Sequence, residues 1–485
     1  MSWWLWILVV VGVFLVGLFI HDVTQKKHAI LRNFPIIGHL RYLLEKAGPE
    51  LRQYIVADND EERPFSRDER RFVYATAKQQ NSYFGFGTDN DITKPGYVLL
   101  RHNAFPHPEP EHPDDLPMRK VMGEWRGRAN AHTPTSVVNI SAMSFGSLSG
   151  AAVEAMNRGA ALANCAHNTG EGGISTHHRH GGSLVFQLGT GYFGARNPDG
   201  TLSIDRMLES MEGAKVEAIE LKLSQGAKPG LGGVLPGSKV TPEIAAARGV
   251  EVGVTVNSPA RHRSFDDVKG LIDTVERIAD ASGLPVGIKS AVGQMQFWNE
   301  LSAEMASSGR GPDFIAIDGG EGGTGAAPLP FSDHVALPFR QGFAEVYRTF
   351  ARAGLDEKIT FIGAGRLGLP TEAMVAFALG ADGIAVAREA MLAVGCIQAQ
   401  KCHTGHCPTG VATQQKWFIR GLDPTDKAAR VGNYIMGLRH ELIRLSNAMG
   451  ASHPSLVDPA AVEIRLGANE HIPVRELFGY EPAGQ

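Results

Sequence analysis

The sequence predicts an α/β protein: a (β/α)8 TIM barrel, with a transmembrane helix before it and a cysteine-rich extension after its last strand. Three observations predict this. Eight short β-branched or apolar runs between residues 136 and 388 alternate with longer helical stretches. The 57 glycines of the 485 residues gather in tracts such as "NTGEGGIS" and "GGEGGTGAAP", where loops bring backbone close to a ligand. The N-terminus carries an uncharged apolar stretch of bilayer-spanning length.

That stretch is "WWLWILVVVGVFLVGLFI", Trp3 to Ile20. A cleaved signal peptide needs positive charge before the apolar run and small residues at a cleavage site. Only Met1 and Ser2 precede the run, and no A-x-A-like site follows it. Lys26, Lys27 and Arg32 come directly after. By the positive-inside rule the expectation is a single pass in the inner (plasma) membrane, with the catalytic bulk cytoplasmic. Residues 1–22 are therefore read as the anchor. Residues 23–113, polar and proline-punctuated, are read as a linker or cap, and their charge-rich piece "DNDEERPFSRDERRF" as a solvated helix face.

Residues 114–450 are assigned to the barrel. Its expected strands are 136–143, 163–168, 218–224, 252–258, 285–291, 313–319, 359–365 and 382–388. The second, "ANCAHN", is weak as a strand and is required mainly by count and spacing. Segments such as "SFDDVKGLIDTVERIADASG" are amphipathic and supply the crossovers. Residues 451–485 are read as a tail. The active face of such a barrel lies at the C-terminal ends of its strands, where the glycine tracts fall.

Composition narrows the chemistry. A net charge of −4, with no basic stripe interleaved with aromatics, excludes a nucleic-acid partner. Four cysteines in a chain this long do not form a secreted disulfide scaffold, so metal or reactive thiols in a reducing compartment are expected. No nicotinamide-binding G-x-G-x-x-G lies after a strand and before a helix in the right βαβ context, so the sequence does not show the electron donor.

"GAGRLG" after the seventh run and "AREA" after the eighth supply open backbone N–H groups, the usual phosphate cradle of a barrel. Lys222 and Lys289 point inward by parity, and a buried ammonium needs an electron-rich partner. A flavin, whose reduced anionic ring is stabilised by a cation near N1 and the C2 carbonyl, is one such partner; Glu220 or Asp318 is another. His177, His178 and His180 have poor spacing for one metal site. Cys396, Cys402 and Cys407 follow the eighth run as C-x5-C-x4-C. This spacing leaves open a disulfide, a zinc site completed by His403 or His406, a [4Fe–4S] cluster or a [3Fe–4S] cluster. Cys165 is expected in the core.

"CIQAQKCHTGHCPTGVATQ" (396–414) resembles the cluster segment of the glutamate synthase family. So, in family order, do "SAMSFGSLSG" (141–150), "NTGEGG" (168–173), "LKLSQGAKPGLGGVLPG" (221–237) and "DGGEGGTGAAPL" (318–329). The resemblance implies a (β/α)8 synthase domain holding FMN against a [3Fe–4S] cluster, with hydride transfer to 2-iminoglutarate formed from 2-oxoglutarate and ammonia. Carried over by position, Ala142, Met143 and Ser144 line the flavin. Gln187, Lys222 and Lys289 contact its ring, and Gly363, Ala364, Gly365, Ala387 and Arg388 its phosphate. Cys396, Cys402 and Cys407 hold the cluster, Lys228 and Arg248 meet the carboxylates of the oxo acid, and Glu171 assists proton transfer.

The resemblance does not extend to the family's amide-hydrolysing part or its C-terminal β-helix, so ammonia is expected from solution or from a partner. An electron donor, ferredoxin or an NADPH-oxidising subunit, is expected as well. Leu231 and Val234 stand where the family has an acid and an amide, which points to a less polar substrate. Two other functions fit the same motifs: amine transfer of the N-methylglutamate synthase kind, and electron relay within a membrane complex.

Overall fold

The computed structural model describes residues 2–25, 29–56, 58, 60–80, 87–113 and 115–480. Lys26 and Lys27 lie outside them. The chain forms two compact units, Met1–Asp68 and Glu69–Gln485.

In the first unit, helix Trp3–Thr24 exposes nearly all of its apolar side chains. Its 22 residues rise about 33 Å, against about 30 Å for a hydrocarbon core. It is thus long and apolar enough to cross a membrane. Helices Ala29–Asn33 and Gly38–Leu51 and a π-helical turn, Arg52–Val56, complete the unit.

In the second unit, eight parallel strands close into a barrel. They are β1 (Val138–Ile140), β2 (Ala166–Asn168), β3 (Ser183–Leu188), β4 (Val216–Lys222), β5 (Val286–Ala291), β6 (Phe314–Asp318), β7 (Thr360–Ala364) and β8 (Gly383–Val386). Each pairs with its successor in sequence, and β8 pairs with β1. Strands β5 and β6 are buried on both faces, which is why they read as apolar runs broken only by Lys289 and Ser290 in β5 and by Asp318 at the end of β6. The crossover helix Val268–Ser282 begins where Asp267 accepts the N–H of Gly270 at 2.8 Å, and ends where Gly283 turns left-handed at φ 70°. Its apolar stripe, Leu271, Ile272, Val275, Ile278 and Ala279, is buried.

One expected strand is not in the barrel. Residues 252–258 have strand composition, yet only Val256–Asn257 pairs, antiparallel to Val234–Leu235, in the long insertion between β4 and β5. The place in the barrel belongs to β3, "SLVFQL". It is joined to β2 by a loop whose regular structure is one 3-10 turn, Thr176–His178, so a search for helical crossovers passes over it. The ends of the unit also differ from expectation. Val98–Leu100, assigned to the linker, pairs with Val462–Arg465, assigned to the tail, and that strand pairs with His471–Pro473. The charge-rich piece is not a solvated face throughout, because Arg70 is buried and Glu69 is ion-paired to Arg366.

Strand β2 also buries His167 completely, with its ring centroid 5.4 Å from that of His178, which is buried too. Burial pushes His167 down to about 3 and His178 well below its ordinary range. The unfolded histidine protonates near pH 6.5, so stability is intact above that pH and is lost as pH falls toward the folded value. Between pH 7 and pH 5 His167 costs about 2 kcal/mol by linkage. Urea unfolding at the two pH values checks this: the pH-dependent loss shrinks in His167→Gln.

Candidate active site

The mouth of the barrel is built by loops leaving the strand ends. The loop after β2 carries Glu171, β4 ends at Lys222, and the following insertion carries Lys228 and helix Pro242–Arg248. These elements bring four predicted residues together. Lys222 Nζ lies 3.1 Å from Glu171 Oε1. Burial pushes the Glu171 carboxyl up, but Lys222, Lys228 and Arg248 together hold it below its ordinary value. Lys228 is lowered, by burial first, against the opposing pull of Glu171. Arg248 is buried, donates from Nη2 to Phe145 O at 3.1 Å and lies 5.0 Å from the Phe193 ring centroid. Its Nε has no hydrogen-bond partner. Around Glu171, three cationic side chains thus face one carboxylate.

His262, which sequence reasoning missed, closes this group. One ring nitrogen lies 2.9 Å from Lys222 O and the other 2.9 Å from Tyr192 Oη. Burial lowers its pKa, so the imidazole adds no charge. Its position in the insertion, far in sequence from the motifs, gave no signal.

Lower in the barrel, Glu220 Oε1 accepts from Asn168 Nδ2 at 2.8 Å and from Gln187 Nε2 at 2.6 Å. Glu220 is therefore held by these two amides, while Lys222 pairs with Glu171. Lys289 Nζ lies 3.8 Å from Asp318 Oδ1 and 3.5 Å from Ser141 Oγ, on the residue before Ala142 in the chain. Asp318 also accepts the N–H of Gly226 at 2.9 Å. A Cβ on Gly226 would stand 1.8 Å from Gly319 O, so the two loops close only over glycine. Gly226→Ala is expected to cost about 1–3 kcal/mol of stability, read as a shift in thermal midpoint.

At the ends of β6, β7 and β8 the predicted phosphate loops meet. Gly319 N–H donates to Ala364 O at 2.8 Å, and Gly365 takes φ +135° with space for a Cβ only 3.1 Å from Gly319. Ala387 and Arg388 begin the helix Arg388–Val394, and Arg388 Nη2 donates to Glu321 O.

The three cysteines of the extension are free thiols. Burial pushes Cys396 up to about 12, and the proximity of Cys402 and Cys407 adds to it. Burial and Cys407 raise Cys402 as well. Burial also opposes ionisation of Cys407, but the N–H groups of Ala412, Thr409 and Val411 and the Thr409 hydroxyl outweigh it and lower that thiol. Among the described residues no three His, Cys, Asp or Glu side chains converge on a single ion. His406 Nδ1 is turned to Thr404 O at 2.9 Å, and His177 Nε2 to Glu243 Oε1 at 2.8 Å. Tyr74, from the segment read as linker, donates its hydroxyl to Cys396 O at 2.7 Å.

The family profile described as "Conserved region in glutamate synthase" matches residues 121–452. The glutamate synthase large subunit-like protein YerD of Bacillus subtilis (strain 168) is 38% identical over 477 residues, covering 90% of each chain. The archaeal-type glutamate synthase [NADPH] of Thermotoga sp. (strain RQ2) is 32% identical over 351 residues, 72% of this chain and 66% of that protein. A ferredoxin-dependent glutamate synthase of Antithamnion sp. is 38% identical over 201 residues, which are 41% of this chain and 13% of that protein.

Proposed function

The chain belongs to the glutamate synthase family, and from that premise we propose a membrane-anchored oxidoreductase that reductively aminates 2-oxoglutarate or a related oxo acid with free ammonia or an amine. The observation that carries this reading is the charge imbalance at the mouth: Lys222, Lys228 and Arg248 around Glu171 alone. Buried cations in excess are costly unless an anion completes them. A dicarboxylate supplies the two missing negative charges.

The residues present fit FMN and a [3Fe–4S] cluster. The backbone cradle at Gly363, Ala364, Gly365 and Ala387, with Arg388, suits a phosphate. Lys222 and Lys289 would lie against the flavin ring, together with Gln187, Ala142, Met143 and Ser144. Cys407, buried and served by backbone N–H groups, and the half-buried Cys396 and Cys402 would hold the iron of the cluster as thiolates. When bound, FMN supplies a hydride and the cluster passes it electrons singly.

The chain's own residues do the rest. Arg248 and Lys228 hold the carboxylates and fix the carbonyl carbon in place. Glu171, ionised at neutral pH, takes the proton that the amine nitrogen loses on adding to that carbon. It returns that proton to the former carbonyl oxygen, then carries a second from nitrogen to the hydroxyl so formed, which leaves as water, and the imine remains. Electrons are proposed to come from a donor protein, ferredoxin or an NADPH-oxidising subunit; ferredoxin and NADPH appear in the relatives' names. The helix Trp3–Thr24 with Lys26, Lys27 and Arg32 behind it supports a single pass in the inner (plasma) membrane and a cytoplasmic catalytic domain.

Leu231 and Val234 favour a second reading, an amine or oxo acid less polar than ammonia and 2-oxoglutarate. Both are exposed on the insertion beside Lys228. The two readings separate when the flavin is reduced anaerobically and its reoxidation is followed. Rapid reoxidation that needs 2-oxoglutarate and ammonium together, with glutamate formed, supports the first. Reoxidation only with methylamine in place of ammonium supports the second. None with any oxo acid and amine overturns both.

A further inference from the structure

The first unit carries an apolar face that its own fold leaves uncovered. In helix Gly38–Leu51, Leu40, Leu43, Leu44, Ala47 and Leu51 recur at i, i+3, i+4, i+7 and i+11, a single stripe on a 3.6-residue helix. His39, Arg41, Glu45, Lys46 and Glu50 occupy the other side, with Arg41 Nη2 and Glu45 Oε1 paired at 2.9 Å. The four leucines are between 42% and 61% exposed, and Ile37, just before the helix, is 76% exposed.

The position of this stripe says what covers it. Asp22, in the last turn of helix Trp3–Thr24, is buried. Its Oδ2 accepts the N–H of Ile36 at 2.9 Å, and His39 Nε2 lies 2.9 Å from its Oδ1. The start of the amphipathic helix is thereby fastened to the end of the apolar one, and the stripe begins at the level where a spanning helix leaves the hydrocarbon. Fourteen residues rise about 21 Å, short of the roughly 30 Å needed to cross, and five polar or charged residues forbid crossing.

We propose that helix Gly38–Leu51 lies along the cytoplasmic interface of the bilayer, with its leucine stripe among the acyl chains and Arg41 and Lys46 at the headgroups. The proposal rests on the reading that Trp3–Thr24 spans. The chain then holds the membrane by two elements, one across it and one along it, joined through Asp22.

The test places a photoreactive diazirine amino acid at Phe14, Leu43, Leu44 or Arg41 of the full chain, in vesicles of phosphatidylcholine and phosphatidylglycerol. Adducts are identified by mass spectrometry after illumination. Lipid adducts at Phe14, Leu43 and Leu44, with a lower yield at Arg41, are the expected result. Lipid adducts at Phe14, with Leu43 and Leu44 cross-linked instead to this chain or to a second copy, overturn the proposal and leave the span standing. No lipid adduct at Phe14 overturns the span, and the proposal with it.

Discussion

Arg248→Ala lowers kcat/KM for the oxo acid by about 100-fold or more, the loss expected when one partner of a buried charge contact is truncated, about 3 kcal/mol. Flavin content and visible spectrum are unchanged, because Arg248 reaches Phe145 and Phe193 and not the phosphate cradle. Stability does not fall with activity. Arg248 is a buried guanidinium with an unpartnered Nε, among cations that outnumber the one carboxylate. Removing it relieves the desolvation cost of a buried cation in the substrate-free protein. Steady-state kinetics beside thermal unfolding of the same preparation checks both halves. A variant that loses stability and activity in parallel would place Arg248 in the framework and remove it from the substrate.

Cys402→Ser has the second large effect, and it divides the reaction in two. Iron and acid-labile sulfide fall below stoichiometry, and turnover driven by a protein donor drops by more than about 100-fold, the scale on which even outer partners of a metal site act. Flavin reduced chemically, without the donor, still reoxidises with substrate at the native rate. Cys402 is the informative choice because Cys396 is tied to its surroundings by Tyr74, and Cys407 by the N–H groups after it. Iron analysis with the two kinetic measurements decides the matter. Full donor-driven turnover in an iron-free variant would sink the cluster assignment.

Much of this was legible in the sequence, and what was not has a physical reason. The barrel, its count of strands and the inward direction of Lys222 and Lys289 follow from alternation and parity, which are local. The identity of the third strand was not local: β3 and residues 252–258 have similar composition, and only the closure of the barrel chooses between them. Likewise one of the two carboxylates named as an alternative to flavin, Glu220, does not meet Lys222. Glu220 stands two residues from Lys222 and shares its face, but Asn168 and Gln187 already serve it, and the loop carboxylate Glu171 takes the lysine. Burial of Arg70, and the hydroxyl of Tyr74 on Cys396 O, come from tertiary packing that no charge count in "DNDEERPFSRDERRF" could reveal.

The small sheet at the ends of the second unit carries a consequence for synthesis. Its register pairs Leu100 with Val462, so the earlier strand leaves the ribosome long before its partner exists. While every barrel strand is being made, the edge Val98–Leu100 stays open, and an open edge invites pairing with other chains. Completion of this sheet therefore waits on a segment translated after the whole barrel. A nascent chain stalled before residue 462 holds all eight barrel strands and still lacks the piece that closes this edge.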